Sequence, residues 1–93
     1  MTFSRSGNRI TSSEGYSIEF LGREGVRYLE AGKSVYIFTE YLIPSGIGVW
    51  VDSIEHWDPP NDKEKISSEE RQRILANVEA ALLFVGEVAV FGP

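Results

Sequence analysis

The run Tyr16–Ile54 reads YSIEFLGREGVRYLEAGKSVYIFTEYLIPSGIGVWVDSI, and its punctuation decides the fold. Short glycine-bearing turns recur at Gly22-Arg23-Glu24-Gly25, Ala31-Gly32-Lys33 and Pro44-Ser45-Gly46, separated by runs rich in β-branched and aromatic residues. That is the pattern of consecutive strands joined by hairpins. Two further turns upstream, Ser6-Gly7-Asn8 and Ser13-Glu14-Gly15, extend it to the N-terminus. The predicted strands are Phe3–Arg5, Arg9–Ser12, Tyr16–Leu21, Val26–Glu30, Ser34–Leu42 and Ile47–Ile54, an antiparallel meander. In the third, Tyr16, Ile18 and Phe20 alternate with Ser17 and Glu19, so one face belongs to a core. In the fifth, Val35, Ile37, Thr39 and Tyr41 oppose Tyr36, Phe38 and Leu42. A strand apolar on both sides belongs in the middle of a sheet or under a cover. The sixth sets Val49 and Val51 against Trp50 and Ile54.

Downstream of Trp57 the character changes. Asp58-Pro59-Pro60-Asn61-Asp62 is a loop, because two prolines remove amide donors and fix φ. A helix opens at Ser67-Ser68-Glu69-Glu70, where Ser67 can cap the Glu70 amide and the Glu70 carboxylate can reach back. Ile74, Val78, Ala81, Leu82 and Val85 then recur at helical spacing, and Gly86 stands where a left-handed cap would end the helix. Glu87 to Phe91 reads as a short closing strand without an assignable partner. The prediction is an α+β domain, 1–93, with a meander over about 3–54, an acidic proline loop over about 55–66, a helix over about 68–85 and a strand over about 87–91. One helix is too narrow to cover six strands, so part of the sheet is expected to stay open unless the sheet curls on itself or meets another chain.

Composition excludes several functions. No cysteine is present, which removes disulfides, thiolate metal sites and a cysteine nucleophile. No apolar run follows a basic start and none approaches the length of a membrane span, so a cytoplasmic location is expected. The formal charge of −5 is concentrated in one place. Asp52, Glu55, Asp58, Asp62, Glu64, Glu69 and Glu70 face only Lys63 and Lys65 between positions 52 and 70, and the rest of the chain is balanced. A surface of this kind steers a basic partner.

Catalysis finds no support in the residue pattern. Asp52, Glu55, His56 and Asp58 invite an acid/base or metal reading, but adjacent Glu55 and His56 diverge on an extended strand and the spacing matches no ligand register. The serines lack a nucleophile elbow, and the glycines lack the Gly-Lys-Ser/Thr ending of a phosphate loop. Arg23, Arg27 and Lys33 beside Tyr28 and Tyr36 resemble a base-stacking platform, yet an acidic chain lacks the phosphate-binding charge that dominates such affinity. Those cations are expected to pair with Glu19, Glu24 and Glu30 across strands. The aromatic set Tyr28, Tyr36, Phe38, Tyr41, Trp50 and Trp57 suits a protein interface. Trp57, beside the proline loop, is the residue expected to be exposed. No cofactor and no metal are expected.

The layout also resembles a known family. A glycine-punctuated meander, the Trp57-Asp58-Pro59 loop and a helix of the form Ser-Ser-Glu-Glu-Arg-x-x-Ile-Leu-x-Asn over 67–77 are similar to the small bacterial immunity proteins of polymorphic toxin systems, specifically the immunity protein seventy-four family. The specific part of the likeness runs from Trp50 to Leu82. It implies a non-enzymatic cytoplasmic protein that binds a toxin domain and protects the producer, with no cofactor. It transfers no contact residues. The residues themselves nominate Asp52, Glu55, Trp57, Asp58, Asp62 and Glu64 as the partner-binding surface, the acids steering a basic toxin and Trp57 anchoring it. The alternative expectation is a self-associating structural domain, a homodimer formed through the open aromatic sheet face.

Overall fold

In a computed structural model that describes residues 2–22 and 25–93, seven strands form one sheet in sequence order. They are β1 (Phe3–Ser6), β2 (Arg9–Ser12), β3 (Tyr16–Phe20), β4 (Gly25–Glu30), β5 (Lys33–Tyr41), β6 (Ile47–Trp50) and β7 (Ala89–Gly92), with helix α1 (Ser68–Phe84) between the last two. Neighbours from β1 to β6 are antiparallel, whereas β7 lies parallel to β6. The α+β meander is as the glycine spacing requires. The Gly22–Gly25 turn contains positions 23 and 24, which lie outside the described residues.

Alternation sorts the faces. Ile10, Tyr16, Ile18, Val26, Tyr28, Val35, Ile37, Ile47 and Val49 all turn to one side and are buried there under α1. The helix contributes Ile74, Val78, Ala81 and Leu82. Its start is the expected capping box, with the Glu70 amide donating to Ser67 Oγ at 3.1 Å and the Ser67 amide donating to Glu70 Oε1 at 3.0 Å. Its end is a Schellman motif. The Gly86 amide donates to the Leu83 carbonyl and the Glu87 amide to the Leu82 carbonyl, with Gly86 at φ +84°, a conformation that glycine adopts without a Cβ penalty.

A polar latch sets the helix on the sheet. Asn77 Nδ2 donates to the buried Tyr28 hydroxyl at 2.8 Å, which donates to Glu30 Oε1 at 2.6 Å, and Arg73 holds Glu30 with Nε at 3.1 Å and Nη2 at 2.6 Å. Burial pushes the Tyr28 hydroxyl pKa up and the adjacent carboxylate pushes it further, so it remains a donor. For Glu30, partial burial works to raise the pKa, but the hydrogen bonds from Arg73 and Tyr28 outweigh it and the net shift is downward. A depressed carboxylate contributes stability above its unfolded pKa, near 4.5, and loses it as pH falls through the lower folded value. Urea midpoints measured from neutral to acid pH are therefore expected to fall less steeply for Glu30→Gln than for the wild type, the two curves converging at the acid end.

Two boundaries differ from the sequence expectation by more than one residue, each for a physical reason. The sixth strand stops at Trp50, not Ile54, because a 3₁₀ turn over Val51–Ser53 follows it, closed by Ser53 Oγ donating to the Trp50 carbonyl at 2.6 Å. Strict alternation would place Ile54 with Trp50; the turn instead delivers Ile54 into the core. The last strand begins at Ala89, not Glu87, because residues 86 and 87 are spent closing the helix. Its partner, unassigned from sequence, is β6.

Candidate functional site

The segment from Val51 to Ser67 is a substitute strand more than a free loop. β5 pairs with β4 along Lys33–Phe38 but meets β6 only along Thr39–Tyr41, so the first half of its second edge needs other partners. Ser53 and Asp58 supply them. The Phe38 amide donates to Ser53 Oγ at 3.2 Å, the Tyr36 amide to Asp58 Oδ1 at 3.2 Å, and the Asp58 amide to the Ser34 carbonyl at 2.7 Å. The segment also folds on itself, with His56 and Lys65 bridged as in a hairpin and the Ile66 amide donating to the Glu55 carbonyl at 2.8 Å.

That folding turns Trp57 inward. The expectation of an exposed anchor is corrected here: the side chain is only 2% exposed and belongs to the core with Ile54 and Ile66. The hairpin that brings the loop back against β5 leaves the indole on the core side, and Lys33 Nζ lies 4.8 Å from the ring centroid, a cation–π contact. Tyr28 is likewise a core residue.

The acidic residues divide into two groups. Asp58 accepts from Ser34 Oγ at 3.1 Å and lies 3.7 Å from Arg27 Nε; Glu64 lies 3.2 Å from Lys33 Nζ and accepts from Asn61 Nδ2 at 3.1 Å. These two are partly neutralised by the chain itself. Asp52, Glu55 and Asp62 are exposed and make no ion pair among the described residues. Of the expected cross-strand pairs, Arg27 reaches Glu19 at 3.4 Å, and Arg9, outside that expectation, joins it at 3.0 Å. Arg23 and Glu24 lie outside the described residues. Lys33 and Glu30 found partners elsewhere, in Glu64 and Arg73.

Of the aromatic set that suits an interface, Tyr36, Phe38 and Trp50 lie on the sheet face opposite α1. Trp50 is 38% exposed and its ring centroid is 5.4 Å from that of Phe38; Tyr36 is 40% exposed beside them. Tyr36 packs over Gly25, where a Cβ would collide with the ring. One signal was present in the sequence: Trp50 falls on the non-core parity of its strand, two residues before the first acid of the charged segment. Among the described residues no group of three or more His, Asp or Glu side chains is placed to hold a metal ion, and no helix is long and apolar enough to cross a membrane.

An α+β sheet with a helix on one face, an open aromatic patch on the other and exposed carboxylates that make no ion pair among the described residues has the make-up of a protein-recognition scaffold. The chain belongs to the Immunity protein 74 family, whose model matches residues 11–90. That span includes β3 to β6, parts of β2 and β7, the acidic segment and the whole helix. Membership of an immunity-protein family implies a toxin as partner. No curated protein and no solved structure matches the chain.

Proposed function

We propose that this chain is a non-catalytic inhibitor that binds a cognate bacterial toxin domain in the cytoplasm of the producing cell. Asp52, Glu55 and Asp62 attract it, and Asp58 and Glu64 add to the same negative field. Trp50 and Phe38 take the anchoring role expected of Trp57, which supports the acidic segment from inside. The observation that carries this reading is the set of three exposed carboxylates, without an ion pair among the described residues, on a segment pinned to the sheet by Ser53, Trp57 and Asp58. Charges fixed on a rigid support present a constant potential to an approaching partner. A toxin that holds phosphate groups, such as a nuclease, carries the complementary basic surface. The test is co-expression with the toxin domain encoded beside this gene. Restored growth and an equimolar complex on gel filtration are expected; a chain that neither restores growth nor forms a complex at micromolar concentration would overturn the proposal.

A further inference from the structure

On the open sheet face, a groove of about 200 Å³ runs between β5 and β7 with Gly48 of β6 as its floor. Leu42 and Val90 form apolar walls, Trp50 closes one end, and Glu40 crosses beside the floor. A Cβ built on Gly48 would stand 3.3 Å from Glu40 Cγ and 3.4 Å from Leu42 Cδ2. The groove is therefore narrow where the glycine opens it. Glu40 is exposed and makes no ion pair among the described residues, and none of the residues lining the groove is a cation.

We infer that this groove receives an arginine side chain of the partner, its stem lying over Gly48 between Leu42 and Val90, and its guanidinium against Trp50 and the Glu40 carboxylate. The inference rests on the toxin-binding reading and specifies the partner's chemistry. Three other occupants fit the groove less well. An aliphatic side chain would fill the walls but would desolvate Glu40 without giving it a partner, which is unfavourable. A carboxylate would meet like charge. A lysine would satisfy Glu40 as a point charge but lacks the flat cation that stacks on an indole and donates two parallel hydrogen bonds to a carboxylate. The groove's apolar length also suits a long stem with a charged tip.

Arginine binding can be read without the toxin. In a ¹H–¹⁵N titration of the full chain with N-acetyl-arginine amide, saturable shifts are expected at the Gly48 and Val90 amides and the Trp50 indole N–H. N-acetyl-citrulline amide, which keeps the shape and removes the charge, should leave them nearly unmoved. Glu40→Gln should weaken binding on the order of three- to tenfold, as expected for loss of one exposed charge-assisted contact, and Trp50→Leu should abolish the shifts while resonances of core residues stay in place. Equal shifts with citrulline, shifts centred away from the groove, or an unchanged titration for both variants would each overturn the inference. Because no toxin is present, any of those outcomes leaves the co-expression test of inhibition untouched, and failure of co-expression leaves the titration untouched.

Discussion

Trp57→Ala is expected to lower the unfolding free energy by about 3–5 kcal/mol, the range for truncating a large buried aromatic to alanine. In a domain of this size that corresponds to a fall in Tm on the order of 15–30 °C. The indole is 2% exposed and packs in the same core as Ile54 and Ile66, the apolar residues on either side of the loop, so its removal leaves a cavity at the junction of sheet, loop and helix. Thermal and urea denaturation measure the loss. Trp57→Phe retains part of the volume and should cost less, which separates cavity formation from any loss of a specific indole contact. Trp50→Leu, on the open face, should change stability by about 1 kcal/mol or less. The opposite ordering, with Trp50 critical for folding and Trp57 neutral, would mean that the acidic segment is not anchored as described. Total stability of such domains is only about 5–15 kcal/mol, so Trp57→Ala should also reduce inhibitor activity indirectly, through the folded population.

The features legible in the sequence are those fixed by local chemistry. Hairpin spacing, strand alternation and the Ser67/Glu70 box depend on residues within a few positions of one another, and among the described residues the strands follow in the expected order with the box in place. What could not be read depends on contacts made across the chain. The pairing of β7 with β6 is parallel and reached only through the intervening helix, so no turn residue announces it. The end of β6 is decided by one serine hydroxyl folding back on the Trp50 carbonyl. Trp57 departs from its expected exposure for a related reason. A tryptophan before two prolines sits next to a loop, and loops lie at the surface; here, however, Asp58 and Ser53 tie the segment along the unpaired edge of β5, and the ring is carried inward. Ile54 and Ile66, apolar residues framing an otherwise polar stretch, were the available hint that the loop had a buried side. The division of the acids was equally hidden. Nothing in the local pattern distinguishes Asp58, which accepts from the backbone of β5, from Asp62, which makes no ion pair among the described residues.

That division makes the second large effect specific. Reversing Asp52, Glu55 and Asp62 together to lysine is expected to slow association with the toxin on the order of ten- to a hundredfold at low salt, within the range that electrostatic steering supplies. None of the three makes an ion pair among the described residues, so each substitution should alter stability by only about 0.5 kcal/mol, and the denaturation curve of the variant serves as the control. The triple change carries the net charge from the acidic side of neutrality, −5, to the basic side. Stopped-flow association rates for wild type and variant should converge as salt rises, because exposed charges are screened beyond a Debye length of about 8 Å at physiological ionic strength. Dissociation rates should move much less, since they report the short-range contacts of Trp50 and Phe38 more than the long-range field. Asp58→Lys behaves differently. It removes the acceptor for the Tyr36 amide and the partner of Arg27, so it should lower stability as well as rate, and the two effects should not separate with salt. A triple variant that associates as fast as the wild type at low salt would show that the toxin is not drawn in by this segment, and the open aromatic face would then have to account for recognition alone.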